Sequence, residues 1–374
     1  MSKRILVTGG AGFVGSNLAS NLLTEGFDVT IFDALVRAGS QENLDWLRRG
    51  SNRLHFVRGD VRDFKAVKDA VADVDIIYHL AGQVAVTSSV SNPRFDFETN
   101  AVGTLNVLEA ARAGGRQPII VFTSTNKVYG GMEDVPVVEG HSRYTFTECP
   151  NGVSEAQPLD FHSPYGCSKG AADQYVRDYG RIYDLPTVVF RMSCIYGPRQ
   201  FGTEDQGWVA HFIISALTGR PITIYGNGKQ VRDVLFVDDL VRAFRLATDR
   251  MDRAAGEVFN IGGGPSNTIS VWAEFGQLLA ELDGRDISVN FDDWRPGDQP
   301  CYFSDIRKAS EALDWRPLID TKTGVRRLWE WASSNLDTLE RGQVITSGAA
   351  DAARACAVEQ LVGKQVSVEG SNRL

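Results

Sequence analysis

Tyr165 and Lys169, four residues apart, are the pair in this chain best placed to move a proton. They follow Pro164 where a helical pattern begins, and that spacing puts both side chains on one helix face. A phenol acts as a base only if its pKa falls well below about 10, and a nearby ammonium lowers it by favouring phenolate. The bland alternative is a half-buried aromatic beside a solvated lysine. The same spacing recurs in Tyr225-Gly-Asn-Gly-Lys229, but on a glycine turn where the two side chains need not meet. Context decides for Tyr165.

That context is a dinucleotide turn. Ile5 to Val7 reads as a short buried strand ending at glycine, and residues 13–24 run with helical apolar spacing from Phe13 and Val14. Between them, Gly10, Gly12 and Gly15 fit GxGxxG, while Gly9, Gly12 and Gly15 fit GxxGxxG. Glycine lets the backbone turn tightly and approach a pyrophosphate, whose charge rests on the N–H groups of the helix start. Asp33 closes a second strand, Val29 to Asp33, about 20 residues beyond the turn. Its carboxylate would accept a ribose 2′-hydroxyl and repel a 2′-phosphate, which predicts NAD. Arg37 leaves a case for NADP. After the strand Leu54 to Val57, Asp60 and Val61 stand where an adenine would be met. Asp60 or Asp63 could instead cap the next helix. Leu80, Ala81 and Gly82 end a fourth strand with the small groups a cofactor backbone would pass.

These residues need a scaffold of strands alternating with helices. The pattern continues through a long helix over 95–113, a strand Ile119 to Phe122, a helix after Pro164 and a strand Thr187 to Phe190. It predicts an α/β chain: a doubly wound, Rossmann-type parallel sheet with a smaller C-terminal substrate lobe, and sites at the strand carboxyl ends. The expected division is 1–194 for the dinucleotide domain, with 232–263 returning to it. Residues 195–231 and 264–340 form the lobe, and 341–374 an Ala-rich polar tail that reads as disordered or loosely attached. Apolar positions of 95–113 spread beyond one face, which predicts burial on two sides.

The whole chain narrows the classes. Its 374 residues, 43% hydrophobic, can bury a large core. A net charge of −8 without a basic block argues against nucleic acid or an anionic membrane as partner. No apolar run spans a bilayer and no signal peptide precedes the first strand. Five scattered cysteines without CxxC suggest neither disulfides nor zinc and fit the cytoplasm. His79, His162 and His211 lack ligand spacing, so no metal is expected.

The glycine turn, Asp33, the Tyr165/Lys169 pair and the strand end Thr123–Gly130 resemble the extended short-chain dehydrogenases/reductases that modify nucleotide sugars. The likeness runs over residues 4–335 in matching order. It is greatest to 2-epimerases of the CDP-tyvelose (CDP-paratose) kind, on Ser124–Gly130, His162–Lys169, Cys194–Gly202 and Glu204–Gly207. The resemblance implies a triad. Thr125 would hold the reacting hydroxyl, with Ser124 its rival; Tyr165 would carry the proton; Lys169 would lower the tyrosine pKa and bond the nicotinamide ribose. It also implies that Asn126 and Lys127 replace the Asp-Glu pair with which 4,6-dehydratases remove water. Arg232 and Arg295 would then hold the diphosphate, with Asn126, Arg199 and Gln200 toward the sugar. The reading that follows is an NAD-dependent nucleotide-sugar epimerase acting at carbon 2 of a CDP-deoxyhexose, as a homodimer built on helices 95–113 and 166–182. Its rivals are a UDP-sugar 4-epimerase and a catalytically silent NAD-binding regulator.

Overall fold

A computed structural model describes residues 3–295 and 298–341. Seven short apolar runs become seven parallel strands: β1 (Arg4–Thr8), β2 (Asp28–Asp33), β3 (Leu54–Arg58), β4 (Ile76–His79), β5 (Ile119–Thr125), β6 (Thr187–Met192) and β7 (Val258–Ile261). Their order is β7-β6-β5-β4-β1-β2-β3, so the chain reverses direction between β1 and β4. A crevice opens at such a reversal, outside the strand carboxyl ends. The central strands are apolar on both faces because helices cover both. On one face α1 (Phe13–Thr24) and α2 (Ser40–Gly50) bury Leu18, Leu22, Leu44 and Leu47. On the other, α3 (Phe64–Val71), α4 (Gly103–Ala113) and α5 (Ser163–Tyr183) bury Val67, Val107, Leu108 and Val176.

The helix expected over 95–113 is interrupted. Pro93–Phe97 is α-helical, Glu98–Val102 is a π-turn, and α4 follows without a break in direction. Widened turns of this kind recur at functional sites.

The smaller lobe gathers Trp208–Leu217, Phe275–Asp283 and Thr321–Ser333 around a core containing Ile213, Phe275 and Leu328. Its sheet is centred on Val231–Phe236, which pairs with Cys194–Tyr196, Thr268–Ser270 and Cys301–Tyr302. The return to the main sheet therefore starts with α6 (Val237–Asp249), not at 232, because the strand before it is hydrogen-bonded inside the lobe. An antiparallel hairpin, Val137–Glu139 with Tyr144–Phe146, lies in the long connection after β5. Residues beyond Arg341, where a tail was expected, lie outside the described residues.

Candidate active site

The dinucleotide turn is shaped by what a Cβ would strike. At Gly9, with φ +68°, a Cβ would come 2.7 Å from the Ala81 nitrogen, and at Gly15 it would come 2.3 Å from the Gly9 carbonyl oxygen. Only glycine lets β1, α1 and the segment after β4 close together. Gly12 precedes α1 with no side-chain cap, which leaves the first-turn N–H groups of α1, from Phe13 and Val14 on, for an anion. Asp33 ends β2, where its carboxylate accepts the Ala11 N–H at 3.0 Å and the Leu35 N–H at 2.8 Å. Burial raises its pKa, and those two donors oppose the rise. Leu80 and Ala81 cross the same opening, their N–H groups bonded to the Thr8 carbonyl and hydroxyl at 3.1 and 3.3 Å. A glycine cradle, an uncapped helix start and a carboxylate at the end of β2 fit a dinucleotide.

Asp63, not Asp60, caps α3, accepting from the Lys65 and Ala66 N–H groups at 3.0 and 3.2 Å. Asp60 is chelated by Arg62, with Nη2 donating at 2.6 Å, so an adenine amino group would share an engaged carboxylate. Val61 is buried against Gly103.

Tyr165 and Lys169 lie buried on α5, facing the end of β5. The Thr125 hydroxyl stands close enough to the Tyr165 phenol to oppose the rise in its pKa. Ser124, one residue earlier, points its buried hydroxyl at no partner among the described residues. The shared helix face is as the spacing predicts, but the electrostatics are not. Burial pushes the phenol up to about 12, Asp96 adds to the rise, and the Thr125 hydroxyl and Arg37 oppose it. Lys169 turns to the strand instead: its Nζ donates to the Thr123 carbonyl at 2.6 Å and lies 4.2 Å from the Phe122 ring centroid. Burial lowers its pKa to about 7, against the pull of Asp173 and Asp96. In this arrangement Lys169 does not depress the phenol.

The rival pair separates. The Tyr225 hydroxyl bonds Glu204, whereas Lys229 donates to Glu139 at 2.8 Å and to the Gly140 carbonyl at 3.3 Å.

Next to Thr125 the polar groups turn cationic. The Lys127 N–H donates to Thr125 Oγ1 at 3.2 Å, and its Nζ lies 3.7 Å from Asp298. Arg232, buried, donates to the same Asp298 oxygen at 2.6 Å. Burial would raise the Asp298 pKa, but Arg232 and Lys127 hold it below the usual value, which makes it a poor base. Arg295 lies 3.9 Å over the Tyr225 ring and 3.6 Å from Glu204. Asn126 is buried beside Thr125, its Oδ1 3.4 Å from the hydroxyl. Gln200 is buried and donates to the Ile195 carbonyl at 3.2 Å. The Arg199 guanidinium stacks on Trp46 at 4.2 Å and Trp331 at 5.7 Å, tying α2 to the helix Thr321–Ser333.

Sequence reasoning missed a polar knot behind Tyr165. Buried Asp96 accepts from Ser168 Oγ at 2.5 Å and from Asn100 Nδ2 at 3.2 Å, and Asn100 also donates to Ser168 at 3.0 Å. The π-turn carries Asn100. Cys194, whose pKa burial raises, was missed as well; it adjoins Arg232 and Lys127 and accepts the Trp208 indole N–H at 3.5 Å. No signal in the local pattern marks either. Among the described residues no cluster of His, Cys, Asp and Glu could hold a metal, and no helix is long and apolar enough to cross a membrane.

A family described as GDP-mannose 4,6 dehydratase matches residues 6–328. CDP-paratose 2-epimerase of Salmonella typhi is 46% identical over 338 residues, covering 88% of this chain and 99% of that one. Among solved structures, a double mutant of dTDP-glucose 4,6-dehydratase from Streptomyces venezuelae, with NAD bound, superposes with a TM-score of 0.78. It is 30% identical and covers 91% of this chain and 99% of that one. UDP-glucuronic acid 4-epimerase of Bacillus cereus, in complex with UDP-glucuronic acid and NAD, gives 0.77 at 28% identity, covering 88% and 99%.

Proposed function

This chain belongs to the GDP-mannose 4,6-dehydratase family of extended short-chain dehydrogenases/reductases, the nucleotide-sugar epimerases and dehydratases, and from that premise we propose that it epimerises carbon 2 of a CDP-deoxyhexose. The observation that carries the epimerase half is the pair after Thr125: Asn126 and Lys127 are an amide and an ammonium, and the nearby carboxylate of Asp298 is held by two cations. None of these is a base for pulling a proton from carbon beside a ketone. The 46% identity to a CDP-paratose 2-epimerase supports the substrate half.

The residues divide the work. Gly9, Gly12 and Gly15 admit the dinucleotide, the start of α1 meets its pyrophosphate, and Asp33 accepts the adenosine ribose hydroxyls in preference to a 2′-phosphate. NAD bound there supplies a reversible acceptor for hydride from one face of the sugar carbon, with return to the other. Thr125 holds the sugar hydroxyl, and Tyr165 takes and returns its proton. Lys169, one helix turn on, would bond the nicotinamide ribose, and by leaving the Thr123 carbonyl for that ribose would bring to the phenol the positive charge it does not supply in this arrangement. Arg232 and Arg295 grip the diphosphate with planar forks. Both now lie on carboxylates, Asp298 and Glu204, so the lobe already offers places for anions. A 4-epimerase acting on a UDP-sugar would use the same residues; similarity to the UDP-glucuronic acid 4-epimerase is lower, at 28%.

The experiment is turnover in heavy water followed by mass spectrometry and NMR of the sugar. We expect inverted configuration at carbon 2 with no deuterium gained on carbon. Loss of water, or one deuterium on carbon, would sink the epimerase reading.

A further inference from the structure

Carbon 2 differs from carbon 4 in one respect that the pocket must answer. It adjoins the anomeric carbon, whereas carbon 4 lies across the ring. If the hydroxyl on carbon 2 meets Thr125 and Tyr165, the phosphate on the anomeric oxygen is brought close to the same two residues. A site for that reaction needs a cation immediately beside the reacting hydroxyl, and a site for carbon 4 does not.

Lys127 meets this need. Its backbone N–H donates to Thr125 Oγ1 at 3.2 Å, so the residue starts at the hydroxyl-holding group itself. Its side chain runs toward the lobe, where Nζ lies 3.7 Å from the Asp298 oxygen that Arg232 binds at 2.6 Å. One anionic oxygen is therefore already shared by Arg232 and Lys127. The Lys127 side chain is 26% exposed, so a ligand can approach it. Two cations converging on one anion, with one of them anchored to Thr125, is the arrangement a sugar-proximal phosphate requires.

We propose that Lys127 binds the phosphate carried by the anomeric oxygen and so brings carbon 2, rather than carbon 4, to Tyr165. This rests on the proposed 2-epimerase reading for its choice of carbon, but its phosphate contact is separable. The ammonium donates to a phosphate oxygen. Arg232 bonds the same diphosphate from the lobe side, and the sugar is drawn toward Thr125 by the shortness of the link between the two.

The test compares CDP with CMP, which lacks the outer phosphate, by calorimetry on the NAD-loaded protein. Lys127→Met should weaken CDP on the order of 30-fold, the scale of a charge-assisted hydrogen bond, while CMP changes less than about 3-fold. Lys127→Arg should recover most of the CDP affinity, and with the sugar nucleotide Lys127→Met should raise KM and lower kcat together. Equal weakening of CDP and CMP, or of neither, overturns the proposal. So does a Lys127→Arg protein as weak as Lys127→Met. The two readings fail differently. A wild-type product inverted at carbon 4 overturns the 2-epimerase reading and, with it, the choice of carbon assigned to Lys127. A carbon 2 product with no CDP-over-CMP difference overturns the Lys127 contact alone.

Discussion

Burial works against the chemistry asked of Tyr165. The phenol is pushed up to about 12, and the groups that oppose the rise are the Thr125 hydroxyl and the Arg37 charge. Lowering it to a useful range takes positive charge close by, which Lys169 would supply on leaving the Thr123 carbonyl for the nicotinamide ribose. Tyr165→Phe keeps the ring and its packing and removes only the proton carrier. Turnover should fall at least ~10²-fold, the usual scale for a lost acid–base group, with binding of the nucleotide diphosphate little changed. Tyr225→Phe should leave kcat nearly intact, because that hydroxyl bonds Glu204 in the lobe and its lysine is drawn off to Glu139. Thr125→Val should cost far more turnover than Ser124→Ala, since the Thr125 hydroxyl bears on the phenol and the Ser124 hydroxyl does not. Steady-state kinetics on the four variants checks this, and equal losses at Tyr165 and Tyr225 would contradict it.

At the level of elements, strand ends and helix starts do the positioning, and those are what a sequence shows most clearly. Gly9, Gly12 and Gly15 are legible because a tight turn between strand and helix demands glycine at a fixed spacing. Ile119 to Phe122 and Thr187 to Phe190 fall within strands where the apolar pattern marks them. The knot of Asp96, Asn100 and Ser168 is not legible. Asp96 and Ser168 are 72 residues apart, and the π-turn that carries Asn100 leaves the apolar spacing of a plain helix. The buried pair Arg191–Asp173, joined at 2.9 Å between β6 and α5, is hidden for the same reason. His79 read as structural from spacing alone, and the fold gives this a thermodynamic form. It ends β4 wholly buried, between the Thr8 hydroxyl at 2.7 Å and the Thr104 hydroxyl at 3.0 Å. Burial, with Lys169 nearby, lowers its pKa to about 3. The unfolded chain, near 6.5, then binds the proton first as pH falls. The contribution is whole above about 6.5 and is lost progressively toward 3, on the order of 2 kcal/mol by pH 5. Urea unfolding of wild type and His79→Asn at pH 7.5 and 5 measures it: the variant should show the smaller pH dependence, and equal slopes would count against this account.

For the whole molecule, one surface is left unexplained by the folding of a single chain. The helix Pro93–Phe97 and the long α5 stand on the outer side of the sheet, and they leave Phe97, Tyr175, Ile182 and Tyr183 exposed, Ile182 at 63%. The inner residues of α5, Val176 and Tyr179 among them, are already spent on the sheet. A helix of 21 residues presents a face roughly 30 Å long, enough to pair with its own copy about a two-fold axis. Isolated exposed apolar groups are ordinary on a monomer, but aromatics and isoleucine sharing one helix mark a contact. We propose a homodimer in which the helical stretch 95–113 and α5 of two chains form a four-helix bundle. The active site opens at the strand carboxyl ends rather than on this face, so each subunit keeps its own pocket. Light scattering at micromolar concentration should give twice the 41.0 kDa chain mass. Tyr175→Glu with Ile182→Glu should halve it, because two carboxylates would meet their copies across the axis in a desolvated seam. NAD content of the monomeric variant should stay near that of wild type, since the glycine cradle lies at β1 and α1. A wild-type monomer, or a variant still of double mass, would place the contact elsewhere.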